Sequence, residues 1–121
     1  MPAAPLPLPP PEALEISVAE TAALLGERAD EFALIDCREE DEHAFCKIGG
    51  SRLFPLSTAG EWLPSLIALG GEMPLVIYCH HGMRSAQLAH HLRQRGVARA
   101  FSMAGGIDAW TAEIDPSVPR Y

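Results

Sequence analysis

The clearest structural pattern lies in the second half of the chain, where the sequence predicts an apolar strand, a short loop and a helix in succession. It reads Leu75-Val76-Ile77-Tyr78-Cys79-His80-His81-Gly82-Met83-Arg84-Ser85. Residues 75–78 are short, apolar and preceded by Pro74, a pattern typical of a strand buried on both faces of a parallel sheet. From Ser85 to Arg95 apolar residues recur at helical spacing, and Gly96 follows as a stop signal. A strand that leads through a loop into a helix predicts an α/β protein.

The rest of the chain repeats this alternation. We predict further strands at 14–16, 32–36, 52–55 and 99–103, and further helices at 17–25, 39–45, 57–68 and 107–113. Ser17 and Glu20 have the spacing of a capping box, and Gly26 is expected to end the first of these helices. The pair Gly70-Gly71 is expected to form a turn before the strongest strand. Strands that alternate with helices predict a mainly parallel sheet with helices on both faces.

Length and composition indicate one ordinary globular domain. The chain has 121 residues, of which 48% are hydrophobic and 21% charged, which is enough apolar material for one core. A net charge of −7 argues against a nucleic-acid partner and, more weakly, against an anionic membrane surface. No apolar run approaches the roughly 20 residues that span a bilayer. Nucleic acid and membrane are therefore not expected as partners.

The two ends of the chain differ in composition from its middle. Residues 1–12 are rich in proline and are expected to form a disordered leader with polyproline character. Residues 13–114 are expected to form the domain, and 115–121 a tail that runs over its surface. With three cysteines, an odd number, and no pattern of a secretory signal, we expect a reducing compartment, the cytoplasm.

The loop at 79–84 carries the chemistry. Ligands of such sheets sit beyond the carboxyl ends of the strands, where Cys79 stands. The following helix offers free N–H groups and a partial positive charge, which favour a thiolate. Gly82 permits a positive φ close to the sulfur, and Arg84 adds a cation suited to an anionic donor. We therefore predict Cys79 and Arg84 as catalytic residues. The loop that cradles the sulfur is predicted to be lined by His80, His81, Gly82, Met83 and Ser85.

These residues resemble a known family. Residues 79–85 are similar to the active-site loop of rhodanese-family sulfurtransferases, and Leu34-Ile35-Asp36-Cys37-Arg38-Glu39 is similar to that family's Asp-x-Arg-Glu segment. Residues 49–56 and 103–110 resemble its Gly-Ala-x-x-Ile-Pro stretch and its Gly-Gly-x-x-x-Trp signature. The resemblance covers about residues 14–113. It departs at Phe45-Cys46-Lys47-Ile48, where the family commonly has Gly-His-Ile, a difference that bears on the choice of partner.

The resemblance implies a rhodanese-like three-layer fold with a five-stranded sheet, and transfer of sulfane sulfur through a persulfide on Cys79. No cofactor and no metal are expected. The expected partners are a small-molecule sulfur donor such as thiosulfate, and a persulfide-bearing or sulfur-carrier protein; the protein itself is expected to be a monomer.

Two other functions stay open at this point. A cysteine-dependent phosphatase or arsenate reductase would also use a cysteine loop that ends in arginine, but such loops usually place five residues between the two, and here four lie between Cys79 and Arg84. A non-catalytic binding module could keep the same fold without the chemistry.

Residues outside the loop have open roles as well. Asp36 is predicted to support the site, either by bracing Arg84 or a loop amide or by capping the turn after its strand. Arg38 is predicted as a supporting ion-pair partner. Cys37 and Cys46 are either resolving thiols for Cys79 or buried structural cysteines.

Overall fold

The computed structural model describes residues 5–121 and confirms the alternation of strands and helices. The strands are β1 (Glu15–Ile16), β2 (Ala33–Asp36), β3 (Arg52–Leu53), β4 (Leu75–Tyr78) and β5 (Ala100–Met103). The helices are α1 (Val18–Glu27), α2 (Glu40–Phe45), α3 (Ala59–Glu72), α4 (Met83–Gln94) and α5 (Gly106–Glu113), and short 3-10 turns cover Ala29–Glu31 and Leu56–Thr58. The predicted capping box of Ser17 and Glu20 is present at the start of α1.

All five strands lie parallel in one sheet, in the order β1-β5-β4-β2-β3. The central strand β4 is buried along its whole length, as its apolar sequence predicts. Asp36 at the end of β2 lies opposite Tyr78 at the end of β4. The segments that follow these two strands therefore start at the same edge of the sheet.

Helices cover both faces of the sheet, and side chains of each strand alternate between the two sides. The first apolar cluster lies under α1 and α5 and includes Leu24, Leu34, Val76, Phe101 and Trp110. The second apolar cluster lies under α3 and α4 and includes Ile35, Leu66, Ile77, Leu88 and Leu92. This arrangement confirms the predicted fold class, a three-layer α/β protein with a five-stranded sheet.

Two predictions that rest on glycines, a helix end and a turn, are wrong. Gly26 does not end α1, which runs to Glu27. Gly70 and Gly71 lie inside α3 and form no turn. Gly70 is buried, and a Cβ built on it would lie 2.5 Å from Cγ1 of Val97. The absence of a side chain at Gly70 lets α3 pack closely against the loop that contains Val97. The helix therefore continues through Gly70 and Gly71.

The segment before β1 contacts the domain. Leu6 and Leu8 pack against the first apolar cluster. The Arg93 guanidinium donates from Nη1 to the carbonyl of Pro11 at 3.0 Å and from Nη2 to the carbonyl of Ala13 at 2.6 Å. Residues 1–4 of the predicted leader lie outside the described residues, and the predicted domain bounds stay a prediction.

Within residues 5–121, no helix combines the length and apolar composition needed to cross a bilayer. The cytoplasmic location stays a prediction.

Candidate active site

The cysteine loop occupies the carboxyl edge of the sheet. Cys79 directly follows β4 and is 1% exposed, whereas Met83, at the start of α4, is 75% exposed. Gly82 lies between them with φ +104°, a conformation that favours glycine. This left-handed residue turns the chain from the strand into α4 and brings the helix N-terminus back over the sulfur.

The Cys79 sulfur is surrounded by hydrogen-bond donors from this turn. Its Sγ accepts from the N–H of Gly82 at 3.1 Å and from the N–H of Ser85 at 3.4 Å. The Ser85 hydroxyl also lies 3.4 Å from Sγ. Donors directed at one atom stabilise negative charge there, both on a thiolate and on a sulfur carried by it.

These contacts give Cys79 a low pKa. The hydrogen bond from the Cys37 thiol is the largest cause, and the Ser85 and Gly82 donors add to it against the opposing effect of burial, so that the pKa of Cys79 falls to about 4. The same pair raises the pKa of Cys37, and burial and the nearby Asp36 carboxylate raise it further. At neutral pH Cys79 is therefore the thiolate of the pair and Cys37 the thiol.

The start of α5 fixes the backbone of the loop. The N–H of Ile107 donates to the carbonyl of Cys79 at 2.9 Å, and the N–H of Asp108 donates to the carbonyl of His80 at 3.1 Å. A Cβ on Gly106 would lie 2.5 Å from the Cys79 carbonyl oxygen and 2.4 Å from that of His80. Gly106, the first residue of α5, thus has a physical role, because only glycine lets the helix approach the loop this closely.

Ser102 is a site residue that the sequence analysis missed. It lies in β5, is fully buried, and its hydroxyl is 2.7 Å from that of Ser85. The Ser85 hydroxyl oxygen also lies 3.2 Å from the carbonyl oxygen of Gly82. In the sequence, Ser102 is marked only as a serine inside an otherwise apolar strand. In the structure, its contact with Ser85 orients the Ser85 hydroxyl beneath the sulfur.

Arg84 contacts a carboxylate within the protein. Its Nη1 and Nη2 donate to Oε1 and Oε2 of Glu42 at 2.7 and 2.9 Å. This pairing holds the pKa of Glu42 down at about 2 and raises the pKa of Arg84. The Arg84 side chain remains 36% exposed. The two residues tie α2 to the first turn of α4, and Glu42 is a second residue that sequence reasoning missed.

Asp36 and Arg38 form a buried pair beside the loop. Both residues are 0% exposed. Asp36 accepts from the N–H, Nε and Nη2 of Arg38 at 3.0, 2.9 and 2.7 Å, and it also accepts from the hydroxyl of Tyr78 at 3.2 Å. Of the two predicted roles, Asp36 caps the turn after β2. The carboxylate that Arg84 contacts is that of Glu42.

The tail reaches the same edge. The ring of Tyr121 stacks on that of His80 with centroids 3.9 Å apart and an interplanar angle of 8°. Its hydroxyl accepts from Nη1 of Arg38 at 2.9 Å and donates to Oε2 of Glu42 at 2.7 Å. Tyr121 therefore joins the loop to both ion pairs, a contact that a polar, proline-rich tail does not indicate.

Only some of the residues predicted to line the loop contact the Cys79 sulfur. Gly82 and Ser85 touch the sulfur, while His81 is exposed and stacks on His80 with centroids 3.9 Å apart. Met83 is directed to solvent. No group of three potential metal ligands occurs among residues 5–121, and the expectation of no metal stays a prediction.

The chain is similar in sequence to known proteins. A family model described as "Rhodanese-like domain" matches residues 17–113. The Arabidopsis thaliana protein "Rhodanese-like/PpiC domain-containing protein 12, chloroplastic" is 37% identical over 93 residues, which cover 76% of this chain and 31% of that protein. "Thiosulfate sulfurtransferase GlpE" of Pseudoalteromonas translucida is 29% identical over 105 residues, which cover 87% of this chain and 95% of that protein. The chain spans less than a third of the length of several curated relatives that it matches.

Among solved structures, the "Human Single Domain Sulfurtranferase TSTD1" superposes with a TM-score of 0.68 and 27% sequence identity, covering 84% of this chain and 97% of that one. The family match begins at the cap of α1 and ends with the last residue of α5. Because it covers far more than half of the sequence, the chain belongs to the rhodanese-like domain family.

Proposed function

We propose that this protein is a rhodanese-type sulfurtransferase that carries sulfane sulfur as a persulfide on Cys79. The observation that carries the proposal is the pair of backbone donors, Gly82 and Ser85, directed at a cysteine whose pKa is lowered to about 4. A cysteine that is ionised at neutral pH and held by hydrogen-bond donors is the form that attacks sulfur.

In the first proposed step, the Cys79 thiolate attacks the outer sulfur of thiosulfate. A new S–S bond forms to Sγ, the S–S bond of the donor breaks, and its electron pair leaves with sulfite. In the second step, a thiophilic acceptor attacks the outer sulfur of the persulfide, and the electron pair of that S–S bond returns to Sγ. Splitting one transfer into two displacements is the gain of covalent catalysis. Both steps balance without a cofactor.

The donors around Sγ support both steps. Charge sits on Sγ before loading and returns to it during unloading, and the N–H groups of Gly82 and Ser85 stabilise it there in each case. Their positions are fixed by the left-handed Gly82 and by the contacts of Ser85 with Ser102. Little reorganisation is needed when charge returns to the sulfur.

Loading with thiosulfate tests the proposal. The protein is treated with thiosulfate, desalted under nitrogen and weighed intact. We expect one added sulfur atom, which Cys79→Ala removes and Cys46→Ala retains, because Cys46 lies in the first apolar cluster, on the other face of the sheet. Absence of the adduct in protein weighed immediately after loading, or its survival in Cys79→Ala, would refute the proposal.

The site favours sulfur transfer over the alternatives of a phosphatase or a binding module. A phosphate ester needs a free guanidinium and a wide ring of donors, whereas Arg84 is engaged by Glu42 through two hydrogen bonds and four residues separate it from Cys79. A module without chemistry has no need for a cysteine with so low a pKa.

The remaining expectations belong to the proposal. Thiosulfate is the proposed donor, a persulfide-bearing or sulfur-carrier protein is the proposed macromolecular partner, and the protein is proposed to act as a monomer in the cytoplasm. Neither nucleic acid nor membrane has a role in it.

A further inference from the structure

Cys37 and Cys79 follow neighbouring strands and lie opposite each other. In the ladder between β2 and β4, Ala33 is paired with Leu75, and the N–H of Ala33 donates to the carbonyl of Pro74 at 3.0 Å. The N–H of Cys37 donates to the carbonyl of Tyr78 at 3.0 Å with the same offset. The ladder therefore continues one residue beyond its last assigned pair, with Cys37 opposite Cys79.

The two sulfurs lie on the same side of the sheet. Cys37 and Cys79 both belong to the second apolar cluster, together with Ile35 and Ile77, which precede them by two residues. Adjacent parallel strands are about 4.8 Å apart, and disulfides join Cα atoms about 4.4–6.8 Å apart. The spacing and the shared face of the sheet suit a direct S–S bond between Cys37 and Cys79.

Both cysteines are shielded from solvent, Cys37 at 0% and Cys79 at 1% exposure. An external thiol reaches the inner sulfur of a loaded Cys79 only after the loop opens. Cys37 needs no such opening, and it is the protonated member of the pair. It carries the proton that a departing sulfur needs.

We propose that Cys37 is a resolving thiol that attacks Sγ of the Cys79 persulfide and releases the carried sulfur as sulfide. This inference rests on the proposed function, because it requires a loaded Cys79. It gives the site a second outcome, in which sulfur that finds no acceptor leaves as hydrogen sulfide and the empty site is locked as a disulfide.

The step balances without an outside oxidant. The Cys37 thiol first gives its proton to the outer sulfur of the persulfide, which makes Cys37 the nucleophilic thiolate. The Cys37 sulfur then forms a bond to Sγ of Cys79, the bond from Sγ to the outer sulfur breaks, and its electron pair leaves on that sulfur, which departs as HS⁻. The sulfane sulfur is reduced to sulfide while the two cysteines are oxidised to a disulfide. An external dithiol then restores both thiols by exchange.

Anaerobic decay of the loaded protein tests the inference. Protein loaded with thiosulfate is desalted, kept without any thiol acceptor, and followed by intact mass and by a colorimetric sulfide assay. We expect the persulfide form to convert into a form two hydrogen atoms lighter than the reduced protein, with one sulfide released per chain. The matched variant Cys46→Ala should behave in the same way.

Cys37→Ala supplies the decisive comparison, with Cys37→Ser as a second variant of closer size. Both should still load sulfur, more slowly than wild type because Cys37 helps to lower the pKa of Cys79. Once loaded, both should retain the sulfur, with sulfide release slowed at least about tenfold because the resolving thiol is absent. Trypsin separates the three cysteines onto residues 29–38, 39–47 and 53–84, so the cross-link should join 29–38 to 53–84.

The outcomes separate the two proposals. If neither wild type nor the variants load sulfur, the proposed function fails. If all load but sulfide release is equal with and without Cys37, or if it proceeds without the 29–38 to 53–84 cross-link, the resolving role of Cys37 is overturned and the sulfurtransferase proposal stands.

Discussion

Arg84 donates two hydrogen bonds to the carboxylate of Glu42, at 2.7 and 2.9 Å, although the two residues lie 42 positions apart in the sequence. Through this ion pair, the guanidinium of Arg84 connects α4 to α2. The charge that an incoming donor meets at the site is therefore that of a neutralised pair.

Removing either member should change the KM for thiosulfate in opposite directions. Glu42→Gln leaves a cation beside the loop and should lower the KM roughly two- to tenfold, whereas Arg84→Gln leaves an anion and should raise it by a similar factor. Steady-state kinetics at two salt concentrations measure both effects, which should shrink at high salt. Glu40→Gln, an exposed change on the same helix, is the control. A shift in the same direction for both variants would show that the pair acts only through structure.

The pH dependence of loading should follow the Cys79 thiolate. The folded pKa of about 4 lies below the ordinary value of 9.0, so the thiolate persists down to mildly acidic pH and is lost only as the pH falls through about 4. The free energy of unfolding depends on pH in the same direction. The ionised Cys79 contributes its full stabilisation above the ordinary pKa, and this contribution is lost as the pH falls towards the pKa of the folded protein. Thiolate ultraviolet absorbance, measured as wild type minus Cys79→Ala, should titrate with this low midpoint.

Ser85→Ala should move that midpoint upwards, because it removes a donor that lowers the pKa of Cys79. Ser57→Ala, a change of the same chemistry at a hydroxyl that bonds Glu39 away from the sulfur, should leave it in place. An unchanged midpoint in Ser85→Ala would contradict the role given to its hydroxyl.

Tyr121→Ala should destabilise the fold by about 1 kcal/mol, because it removes the stack on His80 along with the hydroxyl contacts to Arg38 and Glu42. Tyr121→Phe keeps the ring and should recover part of that loss. Urea unfolding of the three proteins measures the difference. Equal stability of wild type and Tyr121→Ala would mean that the tail contact contributes nothing to folding.

Two glycines should respond in opposite ways to alanine. Gly106→Ala places a Cβ within 2.5 Å of two loop carbonyl oxygens at φ +61° and should cost about 1–3 kcal/mol together with much of the loading rate. Gly26→Ala lies inside α1 with nothing within 4 Å of the added Cβ, and it should stabilise by about 0.5–1 kcal/mol. Thermal unfolding checks both, and tolerance of Gly106→Ala would show that α5 does not fix the loop.

The sequence predicts β4 to its last residue because its apolar run is bounded by Pro74 and by a cysteine that starts a loop. It fails at Gly70 because the signal for a turn and the need for close packing against Val97 use the same residue type. Local pattern cannot separate these two, and only the tertiary contact decides between them.

At the site, the residues of the loop itself could be predicted from sequence, because strand, glycine and helix start are contiguous there. Their partners could not. Glu42 stands in an acidic run in which each residue looks equally solvated, and Tyr121 comes from a distant tail. Both reach the loop through the folded arrangement of α2 and of the segment after α5.

The stacking of Tyr121 on His80 also governs how the protein can be handled. An affinity tag or reporter fused after Tyr121 would begin at the mouth of the cysteine loop. The segment that holds Leu6 and Leu8 lies instead near Pro74 and Arg99, which precede β4 and β5 at the opposite end of the sheet. The segment that holds Leu6 and Leu8 is therefore separated by the length of the sheet from the edge at which Cys79 lies.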